Sequence, residues 1–375
     1  MKVFLYNFRS KNVLRYVSIV IFLIYGCSTP PLNSLDTDGL TQKLINERNI
    51  PGISITILKE GKMVYSKGFG YADIDKKTLV DPSKTKFRIG SVSKTFAASA
   101  LAKLYENGRL DLDKSIYEYV PEFPQKKWDF STRQMAGHLS GIRHYKINEM
   151  SIDKNYTSVY DALEVFSSDA LLHEPGTKYH YSTHAWTLIS LVIERTSDDQ
   201  FLSYMNKNIF NFLGMTNTQA DLKNETISDR VTFYQYTTLQ NVNKAPSVNN
   251  SWKWAGGGYV STTQDMANFT WKVLNTNYLL PETVKEMTTS QKIPNDQKTN
   301  YGIGWRIRYD NENNTYLGHT GGSVGGTTFV FSTEDKEIYR VSKKAGAYLP
   351  FIRPKSLAQD YSSTKDVIKH SINWL

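Results

Sequence analysis

Phe87-Arg88-Ile89-Gly90-Ser91-Val92-Ser93-Lys94-Thr95-Phe96 is the stretch that decides how this chain is organised. An extended apolar lead ends at Gly90, and Ser91 opens a helical pattern. The residues that follow are small or apolar until Lys103, and Gly108 ends the run in the manner of a helix C-cap. The stretch therefore predicts a short strand followed by a largely buried helix.

Ser91 and Lys94 lie three residues apart on this predicted helix. That spacing places them about one turn apart, roughly 4.5 Å along the axis, so the lysine amine can reach the serine hydroxyl. A hydroxyl becomes a good nucleophile when a neighbouring base takes its proton, and an amine kept from water can be that base. The pattern also occurs by chance, and taken alone it leaves open that Ser91 is only a helix N-cap.

Two further segments follow in order, Tyr181-Ser182-Thr183 and His319-Thr320-Gly321-Gly322. With Ser91 and Lys94 they resemble the Ser-x-x-Lys, Tyr-x-Asn and Lys-Thr-Gly elements of the active-site serine hydrolases of the beta-lactamase and penicillin-binding family. The resemblance covers about residues 36 to 345. It implies an α/β (α+β) fold of the beta-lactamase/transpeptidase type, with a central antiparallel sheet flanked by helices and a mainly helical region beside it.

The resemblance also implies roles for these residues. Ser91 would attack a carbonyl and form an acyl-enzyme, with Lys94 as its activating group. Tyr181 would act as a base if a positive charge, with Lys94 the candidate, lowers the pKa of its phenol. The backbone N–H groups of Ser91 and Gly322 would form an oxyanion hole. Substrate would be bound by Thr183, His319, Thr320 and Gly321.

Two positions depart from the family pattern. Thr183 stands where the family often has Asn, and His319 stands where it has Lys. A histidine is about half-titrated near pH 6.5, so we expect weaker recognition of a substrate carboxylate and a substrate preference that changes with pH. This expectation, and the absence of a Glu-x-x-Leu-Asn segment, argue against a dedicated beta-lactamase.

The order of elements predicts one catalytic domain over residues 36–375. Alternating strand patterns occur near both ends, which predicts a sheet part at about 36–86 and 295–375 and a helical part at about 87–294. Helices are predicted at about 35–48, 160–168, 186–195 and 366–375, a hairpin at 53–71, and strands at 302–308 and 338–341. The segment from Trp252 to Ser261 is predicted to be an irregular loop whose glycines allow a close backbone approach. The segment Ser342-Lys-Lys-Ala-Gly-Ala departs from the apolar last strand usual in the family. Other segments, including His138-Leu-Ser-Gly-Ile-Arg-His144-Tyr, resemble a mitochondrial, peptidase-type branch.

The first residues have the pattern of a secretory signal. A basic region through Arg15 is followed by an apolar run from Tyr16 to Tyr25, so residues 1–26 are predicted to be a signal peptide. Cys27 is the single cysteine, and its position resembles a bacterial lipoprotein processing site with residues 27–35 as a tether. Ile24 and Tyr25 fit that site imperfectly, which leaves ordinary cleavage or an uncleaved anchor as alternatives.

Composition excludes several other classes. The chain has 375 residues, 40% of them hydrophobic, which is enough for a substantial core. The net charge is +9, but the basic residues are dispersed and form no stripe for nucleic acid. His180 and His184 have no third ligand indicated, so no metal is expected. No cofactor is needed.

These features predict a serine hydrolase that cleaves amide or ester bonds, as a peptidase, carboxypeptidase or esterase. We expect it at a bacterial cell envelope, attached to the membrane by a lipid and facing the periplasm or exterior. Two alternatives remain: a beta-lactamase, and a non-hydrolytic penicillin-recognising sensor or binding protein. The sequence does not predict which substrate is used or how subunits assemble.

Overall fold

The computed structural model describes residues 34–237, 241–311, 313–334 and 346–351. The helices are α1 (Ser34–Arg48), α2 (Ser93–Glu106), α3 (Ile116–Tyr119), α4 (Thr132–Ala136), α5 (His184–Ser197), α6 (Phe201–Met205), α7 (Asn211–Leu213), α8 (Trp254–Gly257), α9 (Thr263–Asn275) and α10 (Pro281–Thr288). The strands are β1 (Gly52–Lys59), β2 (Lys62–Asp73), β3 (Thr78–Leu79), β4 (Phe87–Arg88), β5 (Gln219–Ala220), β6 (Tyr234–Tyr236), β7 (Val242–Lys244), β8 (Tyr259–Ser261), β9 (Lys292–Ile293), β10 (Gln297–Lys298), β11 (Arg306–Tyr309), β12 (Thr315–Ser323), β13 (Gly326–Glu334) and β14 (Gly346–Phe351).

A seven-stranded sheet joins the two ends of the described chain. Its strand order is β11-β12-β13-β14-β1-β2-β3, and the pairs for which a register is resolved are antiparallel. The inner strand β1 is buried along almost its whole length, because α9 covers one face of the sheet and α1 packs against the other. Strands from distant parts of the sequence therefore share one core.

The helical region packs around α2. This helix buries Phe96, Leu101 and all four of its alanines, and Phe96 makes edge-to-face contacts with Phe210 and Phe269. Helix α5 is also almost fully buried and packs against α2 and α8. A helix without a polar face is stable only inside such a shell of other helices. This packing fixes the start of α2 at the border between the helices and the sheet.

The expected fold class is confirmed, and so are its main elements. The sequence predicted a first helix, a hairpin at 53–71 and a helix at 186–195, and the structure has each with slightly wider bounds. Ser91 itself lies in a short 3-10 turn, Gly90–Val92, and α2 begins two residues later.

Two expectations were wrong in detail. The strand expected from Gly302 begins only at Arg306, and residues 160–168 hold a 3-10 helix at Asp161–Val165. After β13, the next described strand is Gly346–Phe351, which lies between β13 and β1. The strand predicted at 338–341, the helix at 366–375, the signal segment and Cys27 lie outside the described residues.

Within the ranges given above, no helix combines the length and the apolar character needed to cross a bilayer.

Candidate active site

Ser91 lies where the 3-10 turn meets the edge of the sheet. Its Oγ is 3.0 Å from Lys94 Nζ, and it also forms a hydrogen bond with the hydroxyl of Tyr181. The structure therefore brings together the three residues that the sequence placed at the centre of the chemistry. The Ser91 hydroxyl has one candidate proton acceptor and one candidate proton donor as immediate neighbours.

Lys94 is completely buried at the start of α2. Its Nζ contacts Ser91 Oγ, the Thr183 hydroxyl at 3.2 Å and the carbonyl oxygen of Gly256 at 2.6 Å. Burial lowers the pKa of Lys94 well below its usual range, and the positive charges of Arg306 and Lys253 lower it further. A neutral amine has two N–H donors and one lone pair. It can donate to Gly256 and Thr183 and accept the proton of Ser91.

Tyr181 differs electrostatically from the sequence expectation. Burial raises the pKa of Tyr181, while the positive charge of Arg306 and hydrogen bonds to Ser91, Arg306 and Thr183 act against that rise. The cation whose charge lowers the pKa of this phenol is Arg306 on β11, with its guanidinium carbon 5.1 Å from the ring centre. Tyr181 is consequently a protonated phenol at neutral pH, which suits a proton donor better than a base.

Thr183 is buried and connects the other groups. Its hydroxyl is bonded to Lys94 Nζ, to the hydroxyl of Tyr181 and to that of Tyr145. The shorter side chain at this position, where the family often has Asn, is therefore engaged within the catalytic cluster. A hydroxyl can both donate and accept a proton, so Thr183 offers a path between Lys94 and Tyr181.

The edge of β12 from Thr320 to Gly322 forms the opposite side of the site. A two-residue turn, Val324-Gly325, joins β12 to β13 after the pair Ser323 and Gly326. The residue pair that flanks such a turn, here Ser323 and Gly326, exchanges backbone hydrogen bonds. In an antiparallel ladder the next pair, Gly322 and Thr327, does not, so the N–H of Gly322 points away from β13. Strand β11 pairs with β12 only as far as Gly318. Beyond that residue, the edge of β12 packs against the 3-10 turn that carries Ser91.

The backbones of the two segments approach each other closely there. A Cβ at Gly321 would lie 1.9 Å from the carbonyl oxygen of Ile89, and one at Gly90 would lie 2.8 Å from the nitrogen of Gly322. A Cβ at Gly322 would meet nothing within 4 Å. The N–H groups of Ser91 and Gly322 are thus in adjacent backbone segments beside an open space, which is the arrangement that an oxyanion hole requires.

His319 does not lie against the cleft in this structure. It is fully buried, with its Nδ1 2.6 Å from the carbonyl oxygen of Thr320 and its Nε2 2.8 Å from the hydroxyl of Tyr301. The Nδ1–H must therefore donate to the carbonyl, and Nε2 accepts from Tyr301. Burial lowers the pKa of His319 well below its usual range, with Arg306 and Lys94 adding to this effect. The expected half-titration near pH 6.5 is wrong for this imidazole, and Thr320 and Gly321 alone represent the motif in the cleft wall.

Two other histidines hold the segment that carries Tyr181. His138 Nδ1 accepts a hydrogen bond from the N–H of Ser182 at 3.1 Å, and His144 Nδ1 accepts one from the N–H of Thr183 at 3.2 Å. Burial is the main cause that lowers the pKa of both rings, that of His144 to about 3. Neutral imidazoles therefore fix the backbone at Ser182 and Thr183, directly after Tyr181.

The cleft over Ser91 has a volume of about 440 Å³. Two cations, Lys253 and Arg306, lie in its wall, and none of the described residues that line it is an Asp or Glu. The remaining lining residues are Ser91, His144, Tyr145, Met150, Tyr181, Thr183, Gly256, Gly257, Thr320, Gly321, Gly322, Ser323, Gly326, Thr327 and Phe329. Its charge suits an anionic ligand.

A larger depression of about 520 Å³ lies elsewhere on the surface, beside Glu122, Tyr160 and Glu164. Two of its acidic side chains are paired with basic ones, Glu122 with Arg195 and Glu164 with Lys154, and Asp161 accepts a hydrogen bond from Thr157. It contains no arrangement of nucleophile and base, so volume does not identify the site in this molecule. Within the described ranges, no three side chains of His, Cys, Asp or Glu are grouped to hold a metal ion.

Sequence analysis missed Arg306 and Lys253. Arg306 lies in the alternating segment Trp305-Arg306-Ile307-Arg308, and no feature of the sequence distinguishes its role from that of Arg308. Lys253 lies between two tryptophans ahead of Gly256-Gly257-Gly258, a segment interpreted as an irregular loop with a close backbone approach. That approach is confirmed, since a Cβ at Gly256 would lie 2.4 Å from the Thr183 side chain. A lysine between two tryptophans is the one feature of the sequence that could have indicated Lys253 as a site residue.

An antiparallel sheet flanked by helices, with a Ser-x-x-Lys turn facing a Thr-Gly strand edge, defines the class of beta-lactamase/transpeptidase-like proteins. Solved structures support this class. A penicillin-binding protein homologue from Pyrococcus abyssi, described as octameric, has a TM-score of 0.73 at 23% identity and covers 85% of this chain and 73% of its own. A D-amino acid amidase from Ochrobactrum anthropi SV3 has a TM-score of 0.72 at 23% identity over 90% and 98%.

The chain belongs to the Beta-lactamase family, whose model matches residues 37–347. Among curated relatives, the mitochondrial serine beta-lactamase-like protein LACTB of Homo sapiens is 30% identical over 387 residues, or 78% of this chain and 70% of the relative. Protein flp of Staphylococcus aureus (strain MRSA252) is 26% identical over 301 residues, covering 78% and 59%. The expected family is therefore confirmed.

Proposed function

We propose that this protein is a serine hydrolase that forms an acyl-enzyme on Ser91 and hydrolyses amide or ester bonds. One observation carries the proposal: Ser91 Oγ lies between a buried amine, at 3.0 Å, and a protonated phenol that is hydrogen-bonded to Arg306. A scaffold that only binds ligands has no need to bury a lysine amine beside a serine, because that burial costs free energy.

The geometry supports a sequence of proton transfers. Lys94 takes the Ser91 proton as Oγ bonds to the carbonyl carbon, and the N–H groups of Ser91 and Gly322 stabilise the oxyanion. Tyr181 then gives its proton to the leaving nitrogen or oxygen as its bond to carbon breaks, and the proton held by Lys94 passes through the Thr183 hydroxyl to restore Tyr181. Attack by water on the ester to Ser91 returns the enzyme with the same groups in reverse order.

The charge of the cleft supports substrates with an anionic group on the leaving side. Arg306 is hydrogen-bonded to Tyr181, so it lies where the leaving group would be protonated. The family has a lysine at the position of the buried His319. The guanidinium of Arg306 supplies a permanent cation near that position. A carboxylate-ended peptide and a beta-lactam both fit this description, and the amidase among the structural neighbours favours the amide.

Active-site labelling tests the proposal. A fluorophosphonate probe should label the wild-type protein and not Ser91→Ala, and p-nitrophenyl esters, D-amino-acid amides and nitrocefin should show which acyl group is turned over. A matched substitution at the neighbouring Ser93, whose hydroxyl donates to the Gly90 carbonyl, should retain labelling. Labelling that survives Ser91→Ala would contradict the acyl-enzyme and favour a binding protein.

We further propose attachment to a bacterial cell envelope through a lipid on Cys27. The support is the sequence pattern around Cys27 and, more distantly, relatives from Staphylococcus aureus such as Protein flp. Radiolabelled palmitate should enter the wild-type protein in a bacterial host and not Cys27→Ser. Equal labelling of the two proteins would remove the lipid anchor and leave the hydrolase proposal untouched.

A further inference from the structure

One side chain joins the β12–β13 hairpin, which carries Gly322, to the strand ahead of Ser91. Arg88 is the last residue of β4, three positions before Ser91, and it is buried. Its NH1 group donates to the carbonyl oxygen of Val324 at 3.2 Å, and its own carbonyl oxygen accepts from the Thr328 hydroxyl, also at 3.2 Å. Val324 begins the hairpin turn, and Thr328 lies on the returning strand β13. Arg88 therefore contacts the hairpin tip at two points.

The guanidinium of Arg88 is itself held in place by two other groups. Its Nε donates to Asp221 Oδ2 at 2.6 Å, and its Cζ lies 3.9 Å from the ring centre of Phe233. The same phenylalanine packs on the hairpin turn, since a Cβ at Gly325 would lie 2.6 Å from the Cβ of Phe233. A planar guanidinium fixed by a carboxylate and by a ring keeps its other N–H groups in one direction. One of these groups meets the Val324 carbonyl.

Asp221 anchors this arginine in the core. Its carboxylate is almost fully buried, and it also accepts hydrogen bonds from Asn250 Nδ2 at 2.7 Å and from Arg230 NH1 at 2.8 Å. Burial would raise the pKa of this carboxyl, but the charge and hydrogen bond of Arg88, together with Arg230 and Asn250, lower it below its ordinary value. A buried ion pair adds little to stability, because desolvation of the two charges offsets their attraction. What the pair supplies is a fixed geometry.

This geometry bears directly on the oxyanion hole. The N–H of Ser91 follows Arg88 by three residues, and the N–H of Gly322 precedes Val324 by two. The two backbones are in contact between these points, since a Cβ at Gly90 would lie 2.8 Å from the nitrogen of Gly322. Segments joined this closely cannot separate or slide past each other without breaking the contact from Arg88 to Val324. An oxyanion hole works only when both donors reach one oxygen, at about 2.7–3.1 Å.

We propose that Arg88, anchored by Asp221, is a positioning residue that sets the separation of the Ser91 and Gly322 N–H groups. This inference rests on the proposed hydrolase function and adds how the oxyanion hole of that function is held. Arg88 does not line the cleft and takes no part in proton transfer. Its effect is on the stabilisation of the oxyanion that forms when Ser91 attacks the carbonyl.

Arg88→Met and Arg88→Lys test the contact with the hairpin turn. Methionine removes every donor and leaves Asp221 with its partners Arg230 and Asn250. Lysine can keep the ion pair with Asp221, but one ammonium group cannot also reach the Val324 carbonyl as the guanidinium does. We expect kcat for p-nitrophenyl butyrate to fall about tenfold to a hundredfold in both variants, less than the loss of a whole oxyanion donor would cause.

Arg133→Lys is the matched control. The guanidinium of Arg133 also joins two elements, through Asp113 and through Glu286 on α10, but it does not line the cleft. This variant loses part of a comparable set of hydrogen bonds and should keep the wild-type kcat. Equal losses in Arg133→Lys and Arg88→Lys would mean that the effect is a general one on the fold, and would overturn the inference.

A thiono ester separates positioning from folding. In the thiono analogue of p-nitrophenyl butyrate, C=S replaces C=O, so a larger and weaker hydrogen-bond acceptor enters the oxyanion hole. The ratio of kcat/KM for the ester to that for the thiono ester does not depend on how much of the enzyme is folded. We expect the wild-type ratio to exceed the ratio of the two reactions with hydroxide, and to fall by about tenfold in Arg88→Met and Arg88→Lys. A wild-type ratio equal to that with hydroxide, or an unchanged ratio in the two variants, would make Arg88 a structural residue only.

Hydrogen exchange separates this inference from the hydrolase proposal. In Arg88→Met, the backbone amides of residues 320–328 should exchange faster than in the wild type, while those of α5 should be unaffected. Unchanged exchange in the hairpin would overturn the role of Arg88 even where fluorophosphonate labelling confirms Ser91. Faster exchange in a protein whose wild type is not labelled would instead reject the hydrolase and retain Arg88 as the residue that holds the hairpin.

Discussion

A buried lysine with a lowered pKa is the central feature at the scale of single residues. Lys94 lies beside two cations and makes three polar contacts, and its burial lowers its pKa well below the usual lysine range. The amine can therefore take a proton from Ser91 at a pH where an exposed lysine could not. Tyr181, held protonated by burial, complements it as the donor.

Replacing Lys94 by Met should abolish turnover while the fold is retained. The variant loses the base and leaves no buried charge, so we expect kcat/KM to fall by about 10²-fold or more with melting still cooperative. Lys94→Arg should be equally inactive, because a guanidinium does not give up its proton. In the wild type, kcat/KM should rise with pH as Lys94 loses its proton and level off well below the ordinary lysine range. Near-normal rates in either variant would disprove the assignment.

Thr183 provides a second test at this scale. Thr183→Val has nearly the same shape but no hydroxyl, which would break the link between Lys94 and Tyr181, whereas Thr183→Ser keeps it. We expect the valine variant to lose about tenfold to a hundredfold in kcat, the scale of a proton-transfer contribution, and the serine variant to stay near wild type. Burst kinetics with an activated ester should show that acylation is the slowed step. Equal kcat values for the two variants would make Thr183 a structural residue only.

The catalytic residues could be predicted from the sequence because spacing on a helix fixes Ser91 relative to Lys94 before any tertiary contact is known. The electrostatics could not. Arg306 reaches Tyr181 only because it is the first residue of β11, where it pairs with Gly318. His319 is uncharged only because Tyr301 and the rest of the core cover it. These are effects of burial by residues distant in sequence.

At the scale of elements, the segment carrying Tyr181 is held by a loop and not by regular structure. His138 accepts from the N–H of Ser182, the Ser182 hydroxyl donates to the carbonyl of Arg143 at 2.7 Å, and the N–H of His180 donates to the carbonyl of His138. His138 has a left-handed backbone conformation with φ of 63°, which is uncommon for non-glycine residues and is adopted most often by Asn, Asp and His. The loop therefore requires a particular residue at this position.

Asparagine and leucine at position 138 should have opposite outcomes. The Oδ1 of Asn occupies about the place of the histidine Nδ1 and tolerates the left-handed conformation, so His138→Asn should fold and work nearly as the wild type does. His138→Leu leaves the buried N–H of Ser182 unsatisfied and strains the backbone. We expect it to lose about 2–4 kcal/mol in the free energy of unfolding and to lower kcat. Urea unfolding measures this, and similar stability of the two variants would contradict the role of the ring nitrogen.

The elements themselves were predicted where a regular period carried the signal, as in the hairpin of β1 and β2 and the helix α5. Strand β14 was not, because Gly346-Ala-Tyr-Leu-Pro-Phe351 contains Gly and Pro and has no alternation. Its position between β13 and β1 is set by pairing with strands from both ends of the chain. Such long-range pairing is not encoded in the local pattern.

At the scale of the whole molecule, the site concentrates uncharged histidines in the core. Burial lowers the pKa of His144 to about 3 and that of His184 to about 4, and it lowers those of His138 and His319 well below 6.5. In each case the folded pKa is below the unfolded one. The stability that these groups contribute is therefore complete above pH 6.5 and is lost as the pH falls toward the folded pKa.

The free energy of unfolding should accordingly decrease on acidification, with each such histidine contributing up to about 1.4 kcal/mol per pH unit below pH 6.5. Glu149, whose pKa is lowered to about 2, adds to the loss of stability only below its usual pKa of 4.5. Glu194 and Asp265, whose pKa values burial raises, oppose that loss.

The contribution of one histidine can be isolated with His144→Asn, whose Oδ1 can still accept a hydrogen bond from the N–H of Thr183. Urea unfolding of both proteins at pH 8, 7, 6, 5 and 4.5 should give a constant difference at pH 7 and above. Below pH 6.5 the variant should lose less stability, by about 1.4 kcal/mol for each pH unit. Parallel curves down to pH 4.5 would mean that His144 takes up its proton in the folded protein, which its hydrogen bond to the Thr183 backbone forbids.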